Sequence, residues 1–174
     1  MRIVAGELGG RRLKAPRGGF VRPTSDRVRE ALFSILGDLE GLVVLDLFCG
    51  TGALALEALS RGVAEATLVD IAIGTAARNV GDLGASDRCH LVRGDARTFL
   101  EREGPGYDLI FCDPPYRLAG SVGPELDRLL DPRLRPGARV IVETSTDEGM
   151  SLTLPLLDER TYGKTAVRIY GGRS

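Results

Sequence analysis

Val44-Leu45-Asp46-Leu47-Phe48-Cys49-Gly50-Thr51-Gly52 is an apolar strand that runs into a glycine turn, and the helix formers Ala53-Leu54-Ala55-Leu56 follow it. Glycines let the backbone reverse sharply and let a ligand come close to the start of the helix. In an open parallel sheet the ligand crevice lies beyond the carboxyl ends of the strands, so this turn is expected to line it. Asp70 closes the next apolar run twenty positions after Gly50, where a carboxylate accepts hydrogen bonds from ribose hydroxyls. Together they predict a bound nucleoside. Gly50-Thr51-Gly52-Ala53-Leu54-Ala55 also satisfies the permissive dinucleotide fingerprint, so a nicotinamide cofactor stays open at this point.

Outward from this segment, short apolar runs alternate with helical stretches. Thr24-Ser25-Asp26 offers caps for a helix over about 26–36, with Val28, Ala31, Leu32, Ile35 and Leu36 at helical spacing and Gly37 closing it. Strands are expected at 43–48, 66–69, 89–92, 107–112 and 138–143, with helices from Gly52, over about 72–83, 96–102 and 122–130. Such alternation implies an α/β fold: a mostly parallel sheet with crossover helices on both faces. The segments 156–162 and 165–170, joined through Gly163-Lys164, are too short for helices and are expected to add an antiparallel strand pair, making seven strands. Residues 3–5 and 11–15 are candidates for a small hairpin around Gly9-Gly10.

Composition narrows the class. The 174 residues are 43% hydrophobic and 27% charged, ordinary values for a globular chain, and no apolar run approaches the ~18 residues of a membrane span. The first thirty residues carry charge where a signal peptide needs an apolar core, so the expected compartment is the cytoplasm, without a membrane partner. Three cysteines (Cys49, Cys89, Cys112) with no C-x-x-C pair, and one histidine, argue against a zinc site, and no metal is expected. His90 lies in the run 89–92 and is read as a half-buried strand position. The net charge of −1 hides an asymmetry, since residues 1–29 alone sum to +6. A basic head on an acidic body points to a local polyanion site, with Arg11, Arg12, Lys14, Arg22 and Arg29 as candidate phosphate contacts; a solvated surface arm is the alternative.

A second motif, Ile110-Phe111-Cys112-Asp113-Pro114-Pro115-Tyr116, ends the fourth strand at the same crevice edge. Paired prolines stiffen the loop and remove N–H donors, leaving a surface biased towards accepting hydrogen bonds. Such a loop beside an aromatic ring suits a planar heterocycle with an exocyclic amino group: Asp113 and the Pro114 carbonyl accept its two N–H bonds while Tyr116 stacks on the ring. Cys112 is read as core.

In this order, Asp46–Gly52, Asp70, Gly94-Asp95-Ala96 and Asp113–Tyr116 resemble the class I S-adenosylmethionine-dependent methyltransferases, in the branch that modifies exocyclic amines. The terminal antiparallel pair also belongs to that Rossmann-like fold. Met1-Arg2-Ile3-Val4-Ala5-Gly6-Glu7 with Arg11-Arg12-Leu13, and the block 22–34, resemble more narrowly the RsmD family, over about residues 1–172. The resemblance implies transfer of a methyl group to guanine N2 in bacterial small-subunit (16S) rRNA. It assigns Asp46, Phe48, Gly50 and Gly52 to the first cofactor motif, Asp70 to the ribose, and Asp95 with Ala96 to the adenine. Asp113, Pro114 and Tyr116 become the catalytic loop, and Thr24 and Arg27 face the methionine end of the cofactor or the base. Residues 1–23 correspond to an RNA-docking arm and 24–174 to the methyltransferase domain. The expected partner is 16S rRNA within the assembled small ribosomal subunit, and the expected protein is a monomer.

One segment departs from the family. Where relatives have Glu followed by charged residues, this chain has Asp70-Ile71-Ala72-Ile73-Gly74, and Gly74 weakens the helix start by roughly 0.5–1 kcal/mol relative to Ala. The rival readings are an adenine-N6 DNA methyltransferase with the same loop chemistry, a nicotinamide oxidoreductase, and a non-catalytic RNA-binding protein that holds the nucleoside as a structural ligand.

Overall fold

Each strand–helix unit of the sequence becomes a crossover in one seven-stranded sheet. The computed structural model describes residues 1–16, 25–147 and 149–172, apart from the side chains of residues 116–118. The elements are α1 (Asp26–Leu36), β1 (Val43–Leu47), α2 (Ala53–Ser60), β2 (Glu65–Asp70), α3 (Gly74–Leu83), β3 (Cys89–Arg93), α4 (Ala96–Glu101), β4 (Tyr107–Cys112), α5 (Tyr116–Leu130), β5 (Leu134–Ser145), β6 (Leu156–Tyr162) and β7 (Thr165–Gly171). The strand order is β3-β2-β1-β4-β5-β7-β6. β1 to β5 run parallel, while β7 inserts antiparallel between β5 and β6. The order reverses at β1, which lies between β2 and β4, so a crevice opens beyond the carboxyl ends of β1 and β4.

Burial explains the layers. Val44, Leu109, Phe111 and Ile141 face α1, α2 and α3, whereas Leu45, Leu47, Ile110, Cys112, Val140 and Val142 face α4 and α5. The period of two along each strand separates these sets, and apolar residues on both faces are what a fully covered parallel sheet requires. α1 begins where Ser25 Oγ accepts the Val28 N–H at 3.3 Å and stops at Gly37. Its Phe33 ring meets Phe111 with centroids 5.9 Å apart, seating the helix on β4.

Two boundaries and one exposure differ from those expected. α5 starts at Tyr116 rather than near 122 and runs through Pro124. The proline removes only one intrahelical donor there, and the buried Val122, Leu126, Leu129 and Leu130 hold the helix on the sheet. β5 starts four residues before the expected Ala138, because its pairing with β4 jumps from Tyr107–Leu134 to Leu109–Arg139. The intervening Arg135-Pro136-Gly137 forms an irregularity that apolar patterning does not reveal. His90, expected half-buried, is exposed because β3 is an edge strand; its Nε2 lies 3.6 Å from Glu65.

The N-terminal segment also takes a different pairing. A bridge joins Arg2 and Arg12, flanked by Ile3 N–H to Arg11 O at 2.9 Å and Leu13 N–H to Met1 O at 3.2 Å, while residues 4–8 turn onto α2. There Glu57, 0% exposed, accepts the N–H groups of Val4 at 2.7 Å and Ala5 at 3.1 Å. Ser60 Oγ accepts from Leu8 N–H at 2.9 Å, and its carbonyl accepts from Glu7 N–H at 2.8 Å. Gly6 crosses this contact at φ 81°, so close that a Cβ would lie 1.7 Å from Ser60 O. Asn79 on α3 finishes the strap, accepting from Lys14 N–H at 2.8 Å and donating to Lys14 O at 3.1 Å and Thr51 O at 2.9 Å. With Ile3 and Leu13 buried in the core, residues 1–14 are part of the α2–α3 layer.

Candidate active site

The glycine turn after β1 is built on left-handed backbone. Phe48 has φ 58°, the single positive value at a non-glycine among the described residues, and Gly50 and Gly52 follow at 55° and 76°. Such a conformation in a bulky residue is sterically costly and persists only where surrounding structure holds it. Gly52 also has no room for a side chain, since a Cβ would lie 2.9 Å from Leu68 Cδ2. The turn is pinned from both sides: Cys49 N–H donates to Val69 O at 3.2 Å, and Gly50 N–H donates to Asp70 Oδ2 at 2.9 Å. Asp70 Oδ1 accepts from Ala72 N–H at 2.7 Å. A carboxylate has about four acceptor positions, so Asp70 keeps capacity for hydroxyl donors.

The segment 71–74, a departure in sequence, lines a cavity of about 430 Å³ with Pro16, Thr75, Arg78 and Arg93. Ile71 is 69% exposed on its lip, an apolar face beside the Asp70 carboxylate and a natural bed for a planar ring. Ile71 was not singled out from sequence, although a large aliphatic residue directly after a strand-ending acid is a readable signal.

Asp46, inside β1, is buried and accepts the Ala55 N–H at 3.1 Å. Burial pushes its carboxyl up to about 7; the Ala55 bond opposes the shift and the nearby Asp70 charge adds to it. Asp95 caps α4, accepting from the N–H groups of Arg97 at 2.9 Å and Thr98 at 3.4 Å. Its pairing with the Arg97 guanidinium at 3.1 Å holds it below the usual carboxylate range, and Arg97 reaches on to Glu125 at 3.2 Å. Ala96, beside it, is buried.

Asp113 emerges half-buried from β4 with Pro114 buried behind it, Pro115 exposed and Tyr116 opening α5. Burial, and after it the charges of Glu143 and Asp46, raise the Asp113 carboxyl well above its ordinary value. Glu143 is 5% exposed in β5 and was not singled out from sequence. The pairing of Cys112 with Val142 places it beside Asp113, and strand register was the missing information. Cys112 is buried, and burial raises its thiol, as a core residue requires.

The basic residues separate into two groups. Arg11, Arg12 and Lys14 are exposed, with Arg11 Nη2 donating to Asp82 O at 2.9 Å and Lys14 Nζ 2.6 Å from the Asp82 carboxylate. Arg2, Arg12 and Asp26 line a cavity of about 510 Å³ against Met1, Gly10 and Leu13. Arg27 is exposed on α1, and Thr24 and Arg22 lie outside the described residues. Arg29 is a correction: it is 0% exposed, so no phosphate reaches it. Its Nη2 donates to the Arg2 carbonyl and to Asp26 Oδ1 at 2.7 Å, tying the N-terminal segment to α1. Among the described residues no group of three or more His, Cys, Asp and Glu side chains is placed to hold a metal ion, and no helix is long and apolar enough to cross a membrane.

The model of the family described as Conserved hypothetical protein 95 matches residues 1–171. Ribosomal RNA small subunit methyltransferase D of Escherichia coli K12 is 35% identical over 178 residues, covering 98% of this chain and 89% of that protein. The Haemophilus influenzae protein of the same name is 31% identical over 181 residues, covering 98% and 93%. The solved structure of yhhF from Escherichia coli superposes with a TM-score of 0.87 at 35% identity, covering 99% of this chain and 98% of the other. The chain belongs to the Conserved hypothetical protein 95 family, the RsmD family of S-adenosylmethionine-dependent methyltransferases.

Proposed function

We propose that this protein transfers a methyl group from S-adenosylmethionine to the exocyclic N2 amine of a guanine in bacterial 16S rRNA, releasing S-adenosylhomocysteine. The observation that carries the reading is the seat of Asp113: a raised, half-buried carboxyl at the carboxyl end of β4, one strand from the glycine turn of β1. The names of the relatives supply rRNA as the substrate class; guanine N2 is our assignment.

Asp70 would hold the ribose hydroxyls, Ile71 would bed the adenine, and Asp95 with Ala96 would meet its amino edge. When bound, S-adenosylmethionine supplies an electrophilic methyl group on a sulfonium. The chain's own task is to make a poor nucleophile attack it, because the guanine N2 lone pair is delocalised into the ring. Asp113 and the Pro114 carbonyl would accept the two amino N–H bonds, aligning the nitrogen and favouring its tetrahedral geometry as charge develops. Tyr116 would stack on the base, worth about 1–3 kcal/mol for a base splayed from its loop. Residues 1–23 would act as the RNA-docking arm, with Arg11, Arg12 and Lys14 on phosphates and Arg22, Thr24 and Arg27 at its junction with the site.

The test is transfer of labelled methyl from S-adenosylmethionine to small ribosomal subunits that lack the modification, with protein-free rRNA and DNA as parallel acceptors. Label recovered as N2-methylguanine is the expected result, and faster transfer to particles would identify the assembled subunit as substrate. Label on DNA adenine would replace the reading with the adenine-N6 alternative. Cofactor binding without transfer to any acceptor would favour the non-catalytic one.

A further inference from the structure

Glu143 is a buried acid at the carboxyl edge of the sheet that the sequence motifs leave without a role. It lies inside β5, and the parallel pairing of Cys112 with Val142 puts it at the level of Asp113 on the neighbouring strand. Phe111 and Ile141 belong to the face covered by α1, and the period of two carries that face on to Asp113 and Glu143. Asp46 shares it, being paired with Phe111 in β1. Three carboxyl groups from adjacent strands therefore border one small volume.

Among the described residues, charged groups border it from several other elements. Arg29 on α1 sits one helical turn before Phe33, which rests on Phe111, and its charge is felt by Glu143, Glu57 and Asp26. Its Nε and Nη1 are buried and without a hydrogen-bond partner among the described residues. Glu57 on α2 spends both oxygens on Val4, Ala5 and Arg61. The charge of Asp70 on β2 acts on Asp46 and on the thiol of Cys49, and on β7 Glu143 is paired with the apolar Val167. In a site of low dielectric, a neighbouring anion makes a carboxylate hold a proton more tightly, and a cation next to that neighbour keeps it ionised.

Resting on the reading of Asp113 as the catalytic acceptor, we propose that Glu143 is a positioning residue whose negative charge, kept ionised by Arg29, makes Asp113 the group that takes the proton leaving the amine. As the amine nitrogen bonds to the methyl carbon, the carbon–sulfur bond breaks and its electron pair stays on sulfur. The nitrogen then carries a positive charge, and one of its protons passes to the Asp113 carboxylate and from there to solvent. Glu143 touches neither base nor cofactor; it acts through Asp113.

The experiment compares wild type, Glu143→Gln, Glu143→Asp and Asp113→Asn in methyl transfer to unmodified small subunits across pH 5 to 9. Glu143→Gln should lower kcat about 10-fold and move the acidic limb of the kcat profile about one unit down, with KM for the cofactor within about 2-fold. Glu143→Asp, which keeps the charge, should return the limb towards wild type. A Glu143→Gln enzyme with an unchanged limb, beside an inactive Asp113→Asn, would overturn the role of Glu143 and leave Asp113 in place. Full activity in Asp113→Asn would overturn the reading of Asp113 and this inference with it. Should Glu143→Gln not fold, carboxyl NMR titration of the wild-type protein decides: an Asp113 step above the usual carboxylate range is expected, and an Asp113 titrating as an isolated surface acid would overturn the proposal.

Discussion

Asp70 accepts the Gly50 N–H at 2.9 Å, so the acid that ends β2 holds in shape the turn that leaves β1. The same carboxylate is the proposed ribose ligand, and one substitution therefore disturbs both the turn and the ligand contact. Asp70→Ala should weaken cofactor binding about 10-fold or more, in line with the strength of charge-assisted hydrogen bonds, and leave RNA affinity nearly unchanged. Calorimetry with S-adenosylhomocysteine and an RNA-binding titration check this; a larger loss of RNA affinity than of cofactor affinity would remove Asp70 from the ribose site.

The strap of residues 4–8 depends on Glu57, which is buried and gives its two oxygens to two backbone N–H groups. Glu57→Ala leaves both donors and the Arg61 guanidinium without their acceptor, and should cost roughly 2–4 kcal/mol of folding stability. Urea unfolding measures it. An effect within about 0.5 kcal/mol, the range of ordinary surface changes, would mean the strap is not coupled to the fold.

Much of this arrangement is legible in sequence, for physical reasons that also mark where legibility stops. Strands covered on both faces read as unbroken apolar runs, so β1 and β4 stand out, and Gly50 and Gly52 announce a turn that only glycine makes cheaply. Gly120, Gly123 and Pro124 look like helix breakers, yet burial of Val122 and Leu126 outweighs them and α5 starts a turn and a half early. Charge counting treats Arg29 like Arg11, because a count carries no depth: one residue lies in the core and the other on the surface. Glu143 became visible only through the register of β4 with β5, a long-range fact that no local pattern holds.

The distinction between Arg29 and the surface arginines is itself measurable. Arg11→Ala with Arg12→Ala should reduce the slope of log affinity against log salt by up to about two, roughly one for each phosphate that is no longer neutralised. Arg29→Ala should leave that slope unchanged while lowering the urea midpoint, because it removes the tie between Arg2, Asp26 and α1. An unchanged slope in the double variant would sink the docking role of Arg11 and Arg12, and a reduced slope in a stably folded Arg29→Ala would contradict its burial.

Asp46 offers a pH test with a definite sign. Its carboxyl is raised from the ordinary 3.8 to about 7 by burial, so between those values the folded protein binds a proton that the unfolded chain has released. Stability changes with pH in proportion to the protons bound by the unfolded state minus those bound by the folded one, which is negative here. The Asp46 contribution is therefore fully present below about pH 4 and is lost as pH rises through about 7. Asp46→Asn keeps an oxygen for the Ala55 N–H and cannot ionise. Relative to wild type it should gain stability steadily from about pH 4 to about 7, and the difference should level off above that. Paired urea titrations at about pH 5, 6, 7 and 8 measure the effect, since the groups that do not feel the Asp46 charge cancel between the two proteins. A difference independent of pH would show that Asp46 is ionised throughout the range, and that the acid-rich floor beneath the glycine turn is reached by solvent instead of being dry.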